Sequence, residues 1–365
     1  MIDLTLESAA SNGVVAVGPS APEMVPTPVV SPADITLPVA TNELAIRDAW
    51  VALDGWCESN GFGAPRRMNT EPQPVYSFAS ATGVMSIKIG SAQAEWNGLA
   101  YRLGFPPLLF AGRPYLHSLD LRKNFSALTG SYPTPGTNRV IVIDPGHGGS
   151  DSGASNVYSG HFEKEYALDL ARRLQARLLA RGWTALLTRT NDVFVTLSER
   201  VAFAERHQAS LFISLHFNSA FPDRQQAGLE TYCLTPSGMP SSLTRGYADN
   251  TTLVYPNNRF DEWNLQLAMT VHKALLGVNG HADRGVRRAR FLTVLQGENR
   301  PAVLVEGGYL SNPREARQIA DPDYRQRMAE ALAEALTGGE VERRTNVASQ
   351  VLPGMPSTNS DGKMN

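Results

Sequence analysis

The sequence predicts an α/β protein in which helices cover a mainly buried sheet, preceded by a small α+β domain. From residue 139 onward, short apolar runs typical of strands alternate with amphipathic helical stretches. Runs such as VIVI and LFISL are apolar without alternation, which is typical of strands buried on both faces. The chain also has 365 residues, more than one hydrophobic core usually supports, so two domains with additional tails are expected.

The first domain is predicted to occupy residues 43–128. Met85, Ile87 and Ile89 alternate with polar residues, which is the period of a half-buried strand. Upstream, the segment LAIRDAWVALDGWCESNG spaces its apolar residues at roughly helical intervals and predicts a helix that ends near Gly61. Mixed strand and helix signals over this length indicate a small α+β domain.

Proline-rich and polar segments surround this domain. Residues 1–42 include PSAPEMVPTPVVSPAD, whose five prolines oppose both helix and sheet hydrogen bonding. Residues 338–365 are also polar and are interrupted by Pro and Gly. Both segments are predicted to be disordered, and SYPTPGTN predicts a linker at residues 129–138.

Residues 139–337 are predicted to form the second domain. Its apolar residues from Ala167 to Leu178 fall on one face of a helix, with charged residues largely on the other face. Five apolar runs predict strands: Val140–Ile143, Thr184–Leu187, Leu211–Leu215, Leu229–Leu234 and Ala302–Val305.

Composition excludes several classes of function. Lys and Arg number 33 and Asp and Glu number 35, a net charge of -2, so nothing electrostatic favours nucleic-acid binding. No run of about 18 apolar residues occurs, so no transmembrane segment is expected. The two cysteines, Cys57 and Cys233, are too few for a disulfide framework or a cysteine-based zinc cluster, and the sequence leaves open whether they pair.

Titratable side chains follow three of the predicted buried strands. RVIVIDPGHGG contains Asp144 and His147, SLFISLHFNSA contains His216, and PAVLVEGGYLSN contains Glu306. Ligands of open α/β sheets bind outside the carboxyl ends of the strands, so we expect these side chains to converge there. Glu163, in the first turn of the next predicted helix, is a further candidate because the helix dipole favours a carboxylate at that position.

These residue types suit a catalytic zinc site. A catalytic zinc ion takes three protein ligands, often two His and one Glu, and leaves a fourth position for water. The ion lowers the pKa of that water and polarises a carbonyl oxygen. A further carboxylate can take the water's proton and later protonate the leaving amine. The glycines of DPGHGG suit a turn that must approach a ligand closely.

Each residue also has a purely structural interpretation. A single His after an apolar strand is more often packed or surface-exposed than a ligand, and Glu163 alone would be a solvated residue at a helix N-terminus. Glu306 is harder to explain in this way, because a carboxylate inside an apolar strand is rarely left unpaired. His161 is an alternative to Glu163, two residues away. The joint occurrence of the candidates favours a functional site.

Seven sequence blocks occur in one order between about residues 139 and 336: VIVIDPGHGGSDSGA, EKEYALDLARRL, LLTRTNDVFVTLSERVAFA, LFISLHFNSA, GLETY, DRGVRRARFLTVL and PAVLVEGGYLSN. This region resembles the zinc-dependent N-acetylmuramoyl-L-alanine amidases of the amidase-3 type. The resemblance implies a mixed, twisted sheet flanked by helices. It also implies hydrolysis of the amide between N-acetylmuramic acid and L-alanine in peptidoglycan, for cell-wall remodelling or daughter-cell separation.

By position, the resemblance implies a Zn²⁺ ion held by His147, Glu163 and His216, with Glu306 as the catalytic acid–base residue. Glu163 is preferred to Glu165 because it begins the EKEYALDLARRL block. Four further residues are predicted to shape the site: Asp144, Gly146, Gly148 and Asn218.

The first domain shows a weaker resemblance to another family. The segment YSFASATGVMSIKIGSAQAEWNGLAYRLGFPPLLFAGRPYLHSLDLRKNF resembles the stalk-like domain at the N-terminus of copper amine oxidases. It contains no visible constellation of copper ligands, so a spacer or binding module is predicted and a copper site is not.

Two alternative functions remain open at this point. One is another zinc hydrolase on an α/β sheet, such as a carboxypeptidase; the other is a catalytically inactive peptidoglycan-binding protein, against which the presence of all four candidate residues argues. Peptidoglycan is the predicted partner, and an activating protein partner stays open. The substrate predicts a location in the cell envelope, periplasmic or secreted, although MIDLTLESAASNG has no secretory signal, which suggests a misplaced start or non-classical export.

Residues 233–263 bear on regulation. Some relatives carry a long insertion in this region whose helix covers the zinc. Here the stretch has three prolines and no 3.6-residue apolar stripe, which opposes a stable helix. The sequence therefore predicts measurable hydrolysis by the protein alone.

Overall fold

The computed structural model of the chain describes residues 49–130, 138–244 and 249–337. The segments predicted to be disordered, 1–42 and 338–365, lie outside these residues, as does most of the predicted linker. None of the described helices is both long and apolar enough to cross a membrane.

Short strands and helices form the described part before residue 131. The elements are β1 (Trp50–Ala52), α1 (Leu53–Ser59), β2 (Arg66–Arg67), β3 (Val75–Ala79), β4 (Val84–Lys88), β5 (Gln93–Trp96), β6 (Leu99–Arg102), β7 (Leu108–Phe110), β8 (Arg113–His117), α2 (Ser118–Asp120), a π-helical turn (Leu121–Phe125) and α3 (Ser126–Thr129). Strands β1, β8 and β7 form a small antiparallel sheet, whereas β2 to β6 join a larger one.

Strands and longer helices alternate after residue 138. The elements are β9 (Val140–Pro145), α4 (Glu163–Ala180), β10 (Thr184–Leu187), α5 (Leu197–Arg206), β11 (Leu211–Asn218), β12 (Leu229–Cys233), a 3₁₀ turn (Pro256–Phe260), α6 (Asp261–Asn279), β13 (Asp283–Arg288), α7 (Thr293–Gln296), β14 (Ala302–Tyr309), α8 (Pro313–Ala320) and α9 (Pro322–Thr337). All five strands predicted for this part of the chain are present, and the predicted apolar face of α4 is buried.

The main sheet is mixed. Its eleven strands follow the order β10-β9-β11-β14-β12-β13-β6-β5-β4-β3-β2. Strands β10, β9, β11 and β14 are parallel, whereas β12 runs antiparallel to β14. Helices α4, α6 and α9 pack on one face, and α5 and α7 pack on the other. The expectation of a mixed sheet flanked by helices is therefore confirmed.

The parallel strands bring the predicted site residues to one edge of the sheet. Leu215 of β11 lies opposite Pro145 of β9, and His216 lies opposite Glu306 of β14. The carboxyl ends of β9, β11 and β14 therefore meet, and we call this edge the site edge. Because β12 is antiparallel to β14, the loop that follows Cys233 leaves at the opposite edge.

Strand β6 joins the first part of the chain to the second. Tyr101 lies opposite Val286 of the parallel strand β13, and the backbone N–H of Ala100 donates to Asp283 Oδ2 at 2.9 Å. One hydrophobic core contains buried side chains from both parts. The first part is thus packed directly against the second.

Two elements differ from the sequence predictions. Trp50–Ala52 is a strand although helical spacing was expected there, because its backbone pairs with β8; the helix begins only at Leu53. Asp283–Arg288 is a strand that the sequence did not predict, since DRGVRR has a single large apolar residue. Its pairing with β12 and β6 on either side determines its conformation.

The loop after β12 contains no helix within its described residues 234–244 and 249–255. The buried guanidinium of Arg290 binds this loop at two points. It donates to the carbonyl of Met239 at 2.6 Å and to Asp249 Oδ1 at 3.0 Å. Cys57 and Cys233 are both buried and free, so they do not form a disulfide with each other.

Candidate metal centre and catalytic pocket

Three buried side chains meet at the site edge. His147 lies in the turn after β9, Glu163 is the first residue of α4, and His216 lies near the end of β11. Glu163 Oε1 is 3.0 Å from both His147 Nε2 and His216 Nδ1, and these two nitrogens are 3.2 Å apart. Two metal bonds of about 2.1 Å at a tetrahedral angle separate ligand atoms by about 3.4 Å, so this triangle has the right size for a zinc ion.

The partners of the three residues orient their ligand atoms. His147 Nδ1 is 2.8 Å from Asp151 Oδ2, so the neutral ring donates its proton there and leaves Nε2 as a free lone pair. Glu163 Oε2 accepts from the N–H of Ala154, and Oε1 accepts from the N–H of Phe217, each at 3.0 Å. The donor set and its supporting hydrogen bonds fit a metal cation.

The charges of His147, Glu163 and His216 act strongly on one another. Burial opposes the charged form of His147, yet Glu163 and Asp151 raise its pKa to about 10. Burial also opposes ionisation of Glu163, but the two histidines hold its pKa far below the usual range. His216 has a lowered pKa, first because it is buried. A cation replaces the proton on His147, so metal binding must release a proton and weaken as the pH falls.

The backbone of the turn after β9 is held in an unusual conformation. His147 has φ of 59°, in the left-handed region that non-glycine residues rarely adopt. Two buried guanidinium groups hold the turn: Arg200 donates to the carbonyl of His147 at 2.9 Å, and Arg189 donates to the carbonyl of Gly146 at 2.7 Å. Asp144 accepts from Arg200 at 2.6 Å and does not line the pocket, so it acts on the turn through this arginine.

Glycines allow the ligands to approach the backbone closely. A Cβ at Gly146 would lie 2.2 Å from the His216 ring, and a Cβ at Gly148, where φ is 129°, would lie 2.3 Å from a backbone carbonyl. A Cβ at Gly153 would lie 2.7 Å from Glu163 Oε2. Side chains at these positions would displace the candidate metal ligands or the backbone around them.

Glu306 lies on β14, directly opposite His216 of β11. It is 2% exposed, and its Oε2 atom has no hydrogen-bond partner among the described residues. Burial, followed by the negative charges of Glu163 and Glu230, raises its pKa well above the ordinary value. Glu306 is therefore a buried carboxyl that is free to accept and release a proton.

Strand β14 pairs with β11 on one side and with β12 on the other, and Glu230 of β12 lies opposite Glu306. It accepts from Arg284 Nε at 2.6 Å and from Asn218 Nδ2 at 3.2 Å. Burial opposes its ionisation, but Arg287 and Arg284 lower its pKa, so Glu230 stays charged. Its charge acts on Glu306, and its hydrogen bond fixes the side chain of Asn218 at the pocket wall.

A pocket of about 780 Å³ opens over these groups. His147, Glu163, His216 and Glu306 all contribute to its wall, together with Asn218. Two exposed aromatic side chains stand at its rim: Phe194, 45% exposed, and Phe221, 65% exposed. The volume lies in the range of small-molecule sites.

The structure thus brings the predicted ligands and the predicted acid–base residue together in one pocket. The alternative candidates for the Glu163 position lie elsewhere. His161 and Glu165 bind each other on the surface at 2.7 Å and contact none of the four. The sequence reasoning missed five residues that position the site: Asp151, Gly153, Arg189, Arg200 and Glu230. A signal existed for Glu230, because a carboxylate within the strand LETYC resembles the situation of Glu306; nothing local marked the two arginines.

Comparisons with known proteins show what the chain is similar to. The family model for N-acetylmuramoyl-L-alanine amidase matches residues 141–338. The N-acetylmuramoyl-L-alanine amidase AmiA of Escherichia coli (strain K12) is 31% identical over 228 residues, which cover 55% of this chain and 76% of the relative. The amidase LytC of Bacillus subtilis (strain 168) is 35% identical over 198 residues, 54% of this chain but 35% of the relative.

Solved structures are similar to the chain as well. The catalytic domain of CwlV, an N-acetylmuramoyl-L-alanine amidase from Bacillus (Paenibacillus) polymyxa var. colistinus, has 31% identity and a TM-score of 0.46, over 56% of this chain and 98% of that chain. Because the family model matches more than half of the chain, the chain belongs to the N-acetylmuramoyl-L-alanine amidase family of the amidase-3 type. It is a hydrolase of that class.

Proposed function

We propose that the protein is a zinc-dependent amidase that releases stem peptides from peptidoglycan in the cell envelope, during cell-wall remodelling or the separation of daughter cells. The observation that supports zinc dependence most directly is the triangle of ligand atoms on His147, Glu163 and His216, with sides of 3.0 to 3.2 Å. Family membership supports the amide between N-acetylmuramic acid and L-alanine as the bond that is cleaved.

The residues of the pocket divide the chemistry among them. His147, Glu163 and His216 would hold the zinc ion, which supplies Lewis acidity that polarises the amide carbonyl and makes water more acidic. Glu306 Oε2 accepts the proton of the attacking water while the water oxygen bonds to the carbonyl carbon. The same oxygen then returns that proton to the amide nitrogen as the C–N bond breaks, so the peptide leaves as a neutral amine.

The surroundings of Glu306 suit both halves of this cycle. Its raised pKa makes it a stronger base than an exposed carboxylate. Asn218 lies in the pocket wall, where its amide is held by Glu230. Asp151 accepts a hydrogen bond from Nδ1 of His147, which orients the ring so that Nε2 faces the candidate metal position.

The test is hydrolysis of purified muropeptides by the full chain, with the products identified by mass. We expect release of the intact stem peptide with a free L-alanine amine, loss of activity after chelation, and recovery on adding Zn²⁺. A carboxypeptidase would instead remove residues from the peptide's carboxyl end. Full turnover by protein that elemental analysis shows to be metal-free would disprove zinc dependence.

A further inference from the structure

A second polar pocket, of about 320 Å³, lies where β6 of the first domain meets β13. Three arginine side chains reach it: Arg102 from β6, and Arg284 and Arg287 from β13. All three are partly buried, so water screens their charges less than it does at an open surface. No role in the proposed chemistry falls to Arg102.

The acidic groups nearby are already engaged. Glu230 Oε1 is 2.6 Å from Arg284 Nε and 3.4 Å from a terminal nitrogen of Arg287, so one carboxylate serves two guanidinium groups. Asp283 accepts from His272 Nε2 at 2.9 Å and from two backbone N–H groups.

Arg102, by contrast, has no ion pair and no side-chain hydrogen bond with any described residue. Burial, followed by the like charges of Arg287 and Arg284, lowers its pKa. Holding a third guanidinium beside two others costs free energy unless an anion joins them. The fork of N–H donors on arginine matches carboxylate and phosphate oxygens.

The pocket lies within reach of the catalytic strand. Strands β6 and β14 are separated by β13 and β12, so three strand spacings of about 4.8 Å place Arg102 roughly 15 Å from the strand of Glu306. An extended peptide spans that distance in about four or five residues. A peptide of that length, extended from the cleaved amide, would bring its terminal carboxylate to the pocket.

We propose that Arg102, Arg284 and Arg287 form an anion subsite, shared by the two domains, that binds a carboxylate of the stem peptide. This inference rests on the proposed function. It gives the first domain a part in substrate binding through a single side chain, since Arg102 completes a site whose other two cations belong to the amidase domain.

The experiment compares the full-length protein with Arg102→Gln, using a soluble muropeptide and the same muropeptide with its peptide carboxylates converted to amides. Arg102→Gln should raise KM for the free-carboxylate substrate about fivefold, as loss of a partly screened ion pair predicts, with kcat unchanged. It should leave KM for the amidated substrate unchanged. Arg102→Lys should recover part of the loss, and Arg66→Gln, at an exposed arginine of the same domain, is the matched control.

Each other outcome overturns the inference in a recognisable way. Equal KM values for the protein and Arg102→Gln, or an equal increase for both substrates, would exclude carboxylate recognition by Arg102. Inhibition by inorganic phosphate that disappears in Arg102→Gln, with the muropeptide KM unchanged, would assign the pocket to phosphate instead. If the unmodified protein cleaves neither muropeptide, the proposed function itself fails.

Discussion

Glu230 and Glu306 face each other across the β12–β14 pair and are both 2% exposed, yet their surroundings differ. Glu230 is surrounded by donors, including Arg284, and its pKa is lowered by Arg287 and Arg284 in spite of burial. Glu306 Oε2 has no partner among the described residues, and burial raises its pKa. Equal burial thus produces one permanently charged carboxylate and one that can exchange a proton.

The comparison shows that hydrogen-bond saturation, rather than burial, separates a structural carboxylate from a chemical one. Two neighbouring titratable groups whose environments move their pKa values in opposite directions are typical of acid–base sites. The charge of Glu230 also contributes to the raised pKa of Glu306, so the structural group tunes the chemical one.

Replacing Glu306 tests the chemical side of the comparison and has the largest expected effect. Glu306→Gln should lower kcat about a hundredfold to ten-thousandfold, because the residue that moves the proton is lost. Zinc content should be unchanged, since the three ligand atoms belong to other residues. The unfolding temperature should not fall, because a neutral amide replaces a buried carboxyl with an unpaired oxygen.

The control for this variant is Glu165→Gln, which changes a carboxylate of the same helix as Glu163 that faces solvent. It should hydrolyse muropeptides at the normal rate. If Glu306→Gln retained normal turnover, or if it lost its zinc, the roles assigned to the two buried carboxylates would be wrong.

Asp151 represents a third kind of carboxylate, one paired with a histidine of the candidate metal site. Asp151→Asn should weaken zinc binding about tenfold to a hundredfold, because Asp151 fixes the proton of His147 on Nδ1. Competition with a chelator of known affinity measures this change. Asp54→Asn is the control, since Asp54 pairs with Arg113 in the first part of the chain and contacts none of the three candidate ligands. Equal zinc affinities for the two variants would contradict the prediction.

The parts of the fold that the sequence predicts are those in which burial alone determines the pattern. The runs VIVI and LFISL became β9 and β11, because strands covered on both faces need apolar side chains throughout. Asp283–Arg288 was missed because its strand conformation comes from pairing with β12 and β6, and its charged side chains bind Glu230 or border a pocket. Pairing partners far apart in the chain leave no local signal.

The same distinction applies to the site. His147, His216 and Glu306 could be predicted because each interrupts or ends an apolar strand, and parallel strands bring their ends together. Arg189 and Arg200 could not be assigned a role, since an arginine that binds backbone carbonyls of a distant turn resembles any surface arginine in the sequence. The sequence therefore marks the candidate ligands and the candidate acid–base residue more readily than the residues that hold them.

Glu230→Gln tests the tuning between the two carboxylates. Glu306 must be ionised to act as a base, so activity falls as the pH drops through its pKa. Removing the charge of Glu230 leaves Arg284 and Arg287 without their anion, which lowers the pKa of Glu306. The acid limb of kcat/KM should therefore move to lower pH by up to about one unit, measured with both proteins loaded with zinc. An unchanged or upward-shifted acid limb would show that Glu230 does not act on Glu306.

The loop after β12 lies at the edge of the sheet opposite the site edge. Changing this loop should have the smallest effect on activity. Its described residues contribute nothing to the pocket wall, and Arg290 holds it through the carbonyls of Met239 and Leu253. Replacing residues 240–252 with a short Gly/Ser linker should therefore change the rate of hydrolysis per folded molecule at most severalfold. The unfolding temperature should fall, because Arg290 loses its ion pair with Asp249. Steady-state rates corrected for the folded fraction measure this. An increase of about a hundredfold, nearly 3 kcal/mol of barrier, would instead show that the loop blocks the site and that a partner must move it.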